Sequence, residues 1–316
     1  MKKIILFISF LFYITNISAQ QDPEYTHYMY NMSVVNPAYA SGMPAMLNLG
    51  GLYRTQWVGA VGAPKTFTFF GHTAINDKVE VGLSLISDDI GDGAKKENNV
   101  YADFAYVLNL GGQNRLSLGL KAGFSSIQTN FNGFVLQSGD TSTDLAFAED
   151  VNVTKPNIGV GAYYFRDNFY IGLSAPNLLK SKQIEEKSGL NAYGSEEIHT
   201  YLTGGYVFQI NDMWKIKPAS MAKFVKGAPV AVDITANVLY NEKFELGAAY
   251  RINDSFSALA NINVTPSLRI GYAYDYTLTN LDAFNSGTHE VFLLFDLDLN
   301  KLSSSGKGYD KSPRFF

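Results

Sequence analysis

The chain has 316 residues, with 25 Lys and Arg against 29 Asp and Glu, a formal net charge of −4, a pI near 5.6 and no cysteine. That balance argues against a nucleic-acid partner, whose phosphates call for a basic face, and the missing thiols exclude disulfides, thiolate chemistry and a lipid-modified N-terminal cysteine. Charged residues make up 17% and aromatics 14%, at a mean hydropathy of −0.04, a composition that suits alternating lipid-facing and water-facing positions and equally a large β-sandwich.

Taken in chain order, Lys2 and Lys3, the apolar run from Ile4 to Ile14, and Ser18-Ala19 before Gln20 read as a secretory signal peptide over 1–19. Its apolar core falls short of the ~20 residues that a helix needs to cross a bilayer. Beyond Ala19 no stretch of ~18 consecutive apolar residues occurs, so the helical route across a membrane is closed and only a closed barrel remains for insertion. The segment 20–46 is aromatic and too irregular for a strand, and Asn36-Pro37 within it marks a turn or extended dipeptide. It is expected to fold into a lumen or to lie under a periplasmic rim. Tyr28, Tyr30, Asn36, Pro37 and Tyr39 are its candidate plug or partner-binding residues.

From 47 to 299 period-two alternation dominates. Val79, Val81, Leu83 and Leu85 oppose Glu80, Gly82 and Ser84; Leu116, Leu118, Leu120, Ala122 and Phe124 oppose Arg115, Ser117, Gly119, Lys121 and Gly123. The same split recurs in 230–240 and in 268–276. About fourteen strands of roughly ten residues follow, the length that a tilted strand needs to span a bilayer. Every second connection is tight and polar: Asn76-Asp77, Gly111 to Asn114, Arg166 to Asn168, Asn211-Asp212, Asn241-Glu242 and Thr265-Pro266. Longer connections are expected at 87–98, 128–155, 176–196 and 279–287, with 58–64 intermediate and short ones near 226–229 and 252–254. The expected fold is therefore an all-β, antiparallel, up-and-down transmembrane barrel of about fourteen strands with both termini periplasmic. Aromatics around the tight turns, Tyr163, Tyr164, Phe165, Phe169, Tyr170, Phe208, Trp214, Tyr240 and Phe244, are the expected inner interfacial girdle. A tail at 300–316 is locally basic through Lys307, Lys311 and Arg314 and is expected on the periplasmic side.

Enzymatic chemistry finds little purchase. His27, His72, His199 and His289 form no metal-ligand spacing. Gly82-Leu83-Ser84 and Gly172-Leu173-Ser174 lack the closing glycine of a nucleophile elbow and lie inside strands. No phosphate-binding loop is present. The expectation is no catalytic residue, no metal and no cofactor. Inward-phased charges (Glu80, Asp103, Arg115, Lys121, Asp233, Glu245, Arg269, Asp275, Glu290, Asp296 and Asp298, with His72 and His199) are of both signs and should mostly pair across the lumen. Gly119, Gly123, Gly159, Gly161, Gly205, Gly247 and Gly271 share that phase and leave room for something inside.

The segment 20–42, the stretch Tyr53-Arg54-Thr55-Gln56-Trp57-Val58-Gly59 with Gly62-Ala63-Pro64, Ser286-Gly287-Thr288-His289-Glu290 and Ser312-Pro313-Arg314-Phe315 resemble the PorP/SprF family of outer-membrane proteins linked to type IX secretion in Bacteroidota. The resemblance spans the mature chain and adds Arg54 and Trp57 to the candidate partner-binding or plug residues. It implies an integral outer-membrane protein, surrounded by lipid, that works with the secretion and gliding apparatus to export or hold at the surface proteins bearing a C-terminal secretion domain, adhesins typically. A periplasmic peptidoglycan-associated lipoprotein is a further implied partner. The competing expectation is a diffusion or uptake channel for small solutes, and a membrane hydrolase is the third.

Overall fold

The computed structural model describes residues 23–43, 45–131, 135–136, 139–140, 150, 152–179 and 197–299; the expected signal peptide and the tail 300–316 lie outside these residues. Fourteen long strands build one antiparallel sheet. They are β1 (Met46–Thr55), β2 (Lys65–Asn76), β3 (Val79–Ile90), β4 (Lys95–Gly111), β5 (Asn114–Thr129), β6 (Asn152–Arg166) and β7 (Phe169–Ala175), followed by β8 (His199–Tyr206), β9 (Trp214–Val225), β10 (Ala231–Tyr240), β11 (Phe244–Arg251), β12 (Ser255–Thr265), β13 (Leu268–Thr277) and β14 (Thr288–Asp298). Each pairs with its sequence neighbour, Phe208–Gln209 prolongs β8 against β9, and β14 returns to pair with β1 from Met46↔Asp298 to Thr55↔His289. The sheet thus closes on itself without a free edge, which satisfies every ladder inside hydrocarbon.

Alternation sets the two faces. In β10 the inward Asp233, Thr235, Asn237 and Leu239 are buried while Ile234 and Val238 are exposed. In β5 Lys121 is buried against exposed Leu118, Leu120 and Phe124. The outer face carries Phe67, Phe69, Leu85, Phe104, Leu173 and Leu293, apolar side chains open to the surroundings that hydrocarbon would cover.

The connections at one end are all short, whereas those at the other range from three residues to more than twenty. Tight turns lie at 77–78, 112–113, 167–168, 210–213, 241–243 and 266–267; the opposite end carries 56–64, 91–94, 130–151, 176–198, 226–230, 252–254 and 278–287. Asn241 and Glu242 both take positive φ, 49° and 55°, the twist-matched hairpin geometry. The long connection expected at 87–98 is instead strand up to a four-residue turn. Asp88 pairs with Glu97, Asp89 with Lys96 and Ile90 with Lys95 in register, while Gly91, Asp92 and Gly93 take positive φ to make the reversal. Polar composition there reflects a ladder that outruns the lipid belt, tied by charge pairs such as Lys96–Asp89 at 3.7 Å. The girdle is also corrected: Phe208, Trp214, Tyr240 and Phe244 face outward, but Tyr163, Phe165 and Tyr170 turn inward and are buried.

Both ends of the wall lie at the tight-turn end. The described N-terminal segment, however, starts at the other end. Pro23 shares a cleft with Ile86, Asn99, Pro176 and Tyr201, all beside the longer connections, and the chain then descends to Ser41 and Gly42 beside Glu80, next to a tight turn. The wall thus begins and ends at the tight-turn end, while residue 23 lies beside the longer connections.

Candidate functional site

Residues 23–42 run through the lumen and fill it. Tyr28–Tyr30 forms one 3₁₀ turn and Met32–Val35 one α-helical turn; the latter stops where proline would follow, with Asn36 already extended at φ −133°. Asn36 Oδ1 accepts from Ala38 N at 2.9 Å, closing a side-chain turn around Pro37. Tyr28, Met29, Met32, Val34 and Val35 are all buried and share one apolar cluster with wall residues Leu52, Phe70, Tyr101 and Phe292. Fully burying side chains of this size contributes about 1.5–3 kcal/mol each.

The wall accommodates the segment by leaving out side chains. A Cβ at Gly119 would stand 2.3 Å from Ala38 N and Pro37 C, one at Gly161 2.1 Å from Asn36 Oδ1, and one at Gly172 2.8 Å from Asn36 Nδ2. Gly119 and Gly161 are direct cross-strand partners, so β5, β6 and β7 present a bare floor on which the Asn36-Pro37 corner sits. Asn36 Nδ2 donates to Ala162 O at 3.1 Å, Ser174 Oγ to Val35 O at 2.9 Å and Lys121 Nζ to Val34 O at 3.0 Å. Ser174 thus holds the segment by its hydroxyl.

Charge anchors the rest. Glu290 accepts from the main-chain N–H of Thr26 at 3.0 Å and of His27 at 2.7 Å, and meets His27 Nδ1 at 2.8 Å. Arg54 reaches Glu290 at 3.0 Å, Asp275 at 2.8 Å and Thr26 Oγ1 at 3.0 Å. Glu24 is held by Lys223 and, at 3.0 Å, by Arg251, which also grips Asp233 at 2.7 Å. Burial alone would raise the Glu24 carboxyl; the Arg251 and Lys223 cations outweigh it and hold the pKa at about 2. Tyr30 donates its hydroxyl to Glu245, whose second oxygen takes Lys217 Nζ at 2.7 Å. At the tight-turn end Glu80 accepts from Ser41 N at 2.8 Å and Gly42 N at 2.7 Å. Burial pushes the Tyr28 and Tyr30 hydroxyls upward in pKa, so both remain neutral.

Of the seven candidate residues, the structure brings six together inside the barrel. Tyr28, Tyr30, Asn36 and Pro37 are buried, Tyr39 lies half-buried with its ring 5.5 Å from Tyr163 and 5.0 Å from His72, and Arg54 is 2% exposed. Trp57 stands apart, in the 56–64 connection, with φ 45° and its N–H on Thr288 Oγ1 at 3.1 Å. Four residues that anchor the segment were not singled out from sequence: Glu24, Lys217, Lys223 and Arg251. Lys217, Lys223 and Arg251 share the inward phase of β9 and β11, a signal that the alternation of those strands carries. Among the described residues no group of three or more His, Asp or Glu is placed to hold a metal ion.

The family described as type IX secretion system membrane protein PorP/SprF matches residues 17–295. No curated protein matches. Among solved structures the chain is similar to the Acinetobacter baumannii outer membrane protein Omp33, at 10% identity and TM-score 0.46, covering 82% of this chain and 100% of that one. It is similar also to a Pseudomonas aeruginosa FadL homologue, at 12% identity and TM-score 0.46, covering 89% and 96%. The Pseudomonas putida toluene transporter TodX matches at 12% identity and TM-score 0.44, covering 84% and 92%. With a family match across most of its length and a closed barrel of fourteen strands, this chain belongs to the PorP/SprF family of type IX secretion system membrane proteins and is an outer-membrane β-barrel.

Proposed function

We propose that this barrel is a non-enzymatic component of the type IX secretion and gliding apparatus that supports export or surface retention of partner proteins carrying a C-terminal secretion domain, adhesins among them. In this reading the tight-turn end faces the periplasm, where a peptidoglycan-associated lipoprotein is the expected neighbour, and the longer connections face outward, the usual disposition of such barrels. The observation that carries the proposal is the filled lumen. A family member whose interior is occupied by its own N-terminal segment offers partners a closed platform rather than a passage.

The competing reading, a diffusion or uptake channel, needs a continuous water path. Among the described residues, the cleft above the segment at Pro23, Glu24 and Tyr25 instead shares no lining residue with the cleft beneath it at Met29, Tyr30 and Met32. Purified protein in planar bilayers should give no steady wide conductance, and mild-detergent purification should bring a secreted surface protein with it. Normal secretion and attachment of every type IX substrate after gene deletion would defeat the proposal. A large, stable open pore in the intact protein would favour the channel.

A further inference from the structure

Most interior cations of the described residues pair with a carboxylate, while Arg115, over the Phe165 ring, and Arg269 do not. Arg54, Lys121, Lys217, Lys223 and Arg251 each contact a carboxylate. Arg269, on β13 just past the 266–267 turn, contacts none; its Nε donates to Asn263 Oδ1 at 2.6 Å, its guanidinium lies 5.1 Å from the Tyr30 ring centroid, and its Nη1 has no hydrogen-bond partner. Arg269 lines the cleft beneath the N-terminal segment, of about 70 Å³, together with Ser33, Asn48, Phe70, Leu294 and Asp296. Two further polar atoms in that lining have no hydrogen-bond partner, Ser33 Oγ and Asn48 Oδ1, and both side chains are more than nine-tenths buried. Asn48 Nδ2 is committed to Asp296 at 2.6 Å, which fixes the orientation of the amide and leaves its oxygen as an acceptor. Polar atoms withdrawn from water without a bond are costly, and a cluster of three in one lining calls for an explanation.

The chemistry of the cleft selects a ligand. A guanidinium with no carboxylate in direct contact, though near enough to Glu245 for their charges to interact, matches an incoming carboxylate in a planar, forked geometry. An acceptor such as Asn48 Oδ1 calls for an N–H, and Ser33 can give or take a hydrogen bond. Met29, Met32, Phe70 and Leu294 supply an apolar wall. Asp296 at the same site disfavours a dianion such as phosphate. At roughly 10–15 Å³ per water on this measure, the space holds about five waters, the bulk of one small residue end rather than a drug-sized molecule.

We propose that this tight-turn-end cleft binds the terminal carboxylate and adjoining amide N–H of a peptide, with the carboxylate on Arg269, the N–H on Asn48 Oδ1 and a small apolar side chain against Met32 and Leu294. The inference stands on the cleft alone and does not depend on the secretion role.

Ligand-observed NMR with the full chain in detergent micelles, using N-acetyl-L-alanine as probe, tests it. The acid should bind, its methyl ester should bind at least tenfold more weakly, and free alanine, whose ammonium replaces the amide N–H, should bind several-fold more weakly than the acetylated acid. Arg269→Gln should abolish the difference between acid and ester, and Asn48→Ala should weaken the acid several-fold while the ester changes little. Heat-modifiable migration on gels shows whether each variant still forms the barrel, and a Ser33→Ala variant tests the same cleft should Arg269→Gln fail to fold. Equal binding of acid and ester to the intact protein, or no binding of either at millimolar concentration, overturns the proposal.

Discussion

Arg54 and Glu290 face each other in register across the seam where the first and last strands meet, joined by an ion pair of 3.0 Å with both side chains withdrawn from solvent. The pair therefore sits on the closing seam and, through Thr26 and His27, fastens the N-terminal segment at the same point. Removing one partner of such a cluster leaves charge buried without compensation, a loss of about 3–5 kcal/mol. Arg54→Ala should lower the temperature of the heat-induced gel-mobility shift substantially, and Arg54→Ala with Glu290→Gln together should cost less than the sum of the two alone. Additive losses would mean that the two side chains do not act as a unit.

A Cβ on Gly161 would meet Asn36 Oδ1 at 2.1 Å, whereas one on Gly51, on the lipid side of β1, meets nothing within 4 Å. Overpacking a filled interior costs about 1–3 kcal/mol. Gly161→Val should loosen the Asn36-Pro37 corner and speed hydrogen exchange of residues 34–40, while Gly51→Val should leave both exchange and stability close to those of the parent. Comparable behaviour of the two variants would argue against the glycine floor as the seat of the segment.

The architecture was readable because a barrel wall repeats one rule. Leu118 and Leu120 against Lys121, or Ile234 against Asp233, announce their faces by alternation alone, and Asn241-Glu242 announces its turn. Two kinds of feature escaped for physical reasons. Asp88, Asp89, Lys95 and Lys96 are polar enough to suggest a loop, yet outside hydrocarbon a strand has no need of apolar residues and charge pairs sustain the ladder. Tyr163 and Tyr170 have the composition of a girdle but the phase of the interior, and only the presence of Tyr39 and the rest of the segment gives them something to pack on. The route of residues 23–42 carries no periodic signal, because its conformation is dictated by the wall around it. Glu24 shows this best: its partners Lys223 and Arg251 are distant in sequence and meet it only in the lumen.

Glu24 also makes the upper anchor sensitive to acid. Its folded pKa, about 2, lies below the ordinary 4.5, so the unfolded or detached state binds the proton more tightly. The anchor is then fully present above about pH 4.5 and is lost as pH falls from there toward 2. A shift of this size corresponds to about 3 kcal/mol. Protease cleavage within residues 23–30 of micelle-bound protein, read by mass spectrometry with an acid-active protease, should rise over that window. A Glu24→Gln variant should cleave faster than the parent at neutral pH and show a much flatter acid response. An identical pH profile in both proteins would remove Glu24 from the anchoring role.

Deleting residues 23–42 separates the wall from its filling. The wall needs no help from the segment to close, since all of its ladders, including Met46↔Asp298 through Thr55↔His289, are main-chain pairings between strands. Arg54, Asp275 and Glu290, buried by the segment in the intact protein, would face water once it is gone, so their charge would be solvated rather than stranded. What is lost is the burial of Tyr28, Met29, Met32 and their neighbours, which lowers stability without exposing a sheet edge. The truncated protein should therefore still insert and migrate as a folded barrel at low temperature, melt earlier than the parent, and conduct ions where the intact chain does not. It should also fail to retain the partner that co-purifies with the intact protein. Insertion together with a conductance as low as that of the parent would show that something other than this segment closes the lumen, and undiminished partner retention would place the docking surface elsewhere on the barrel.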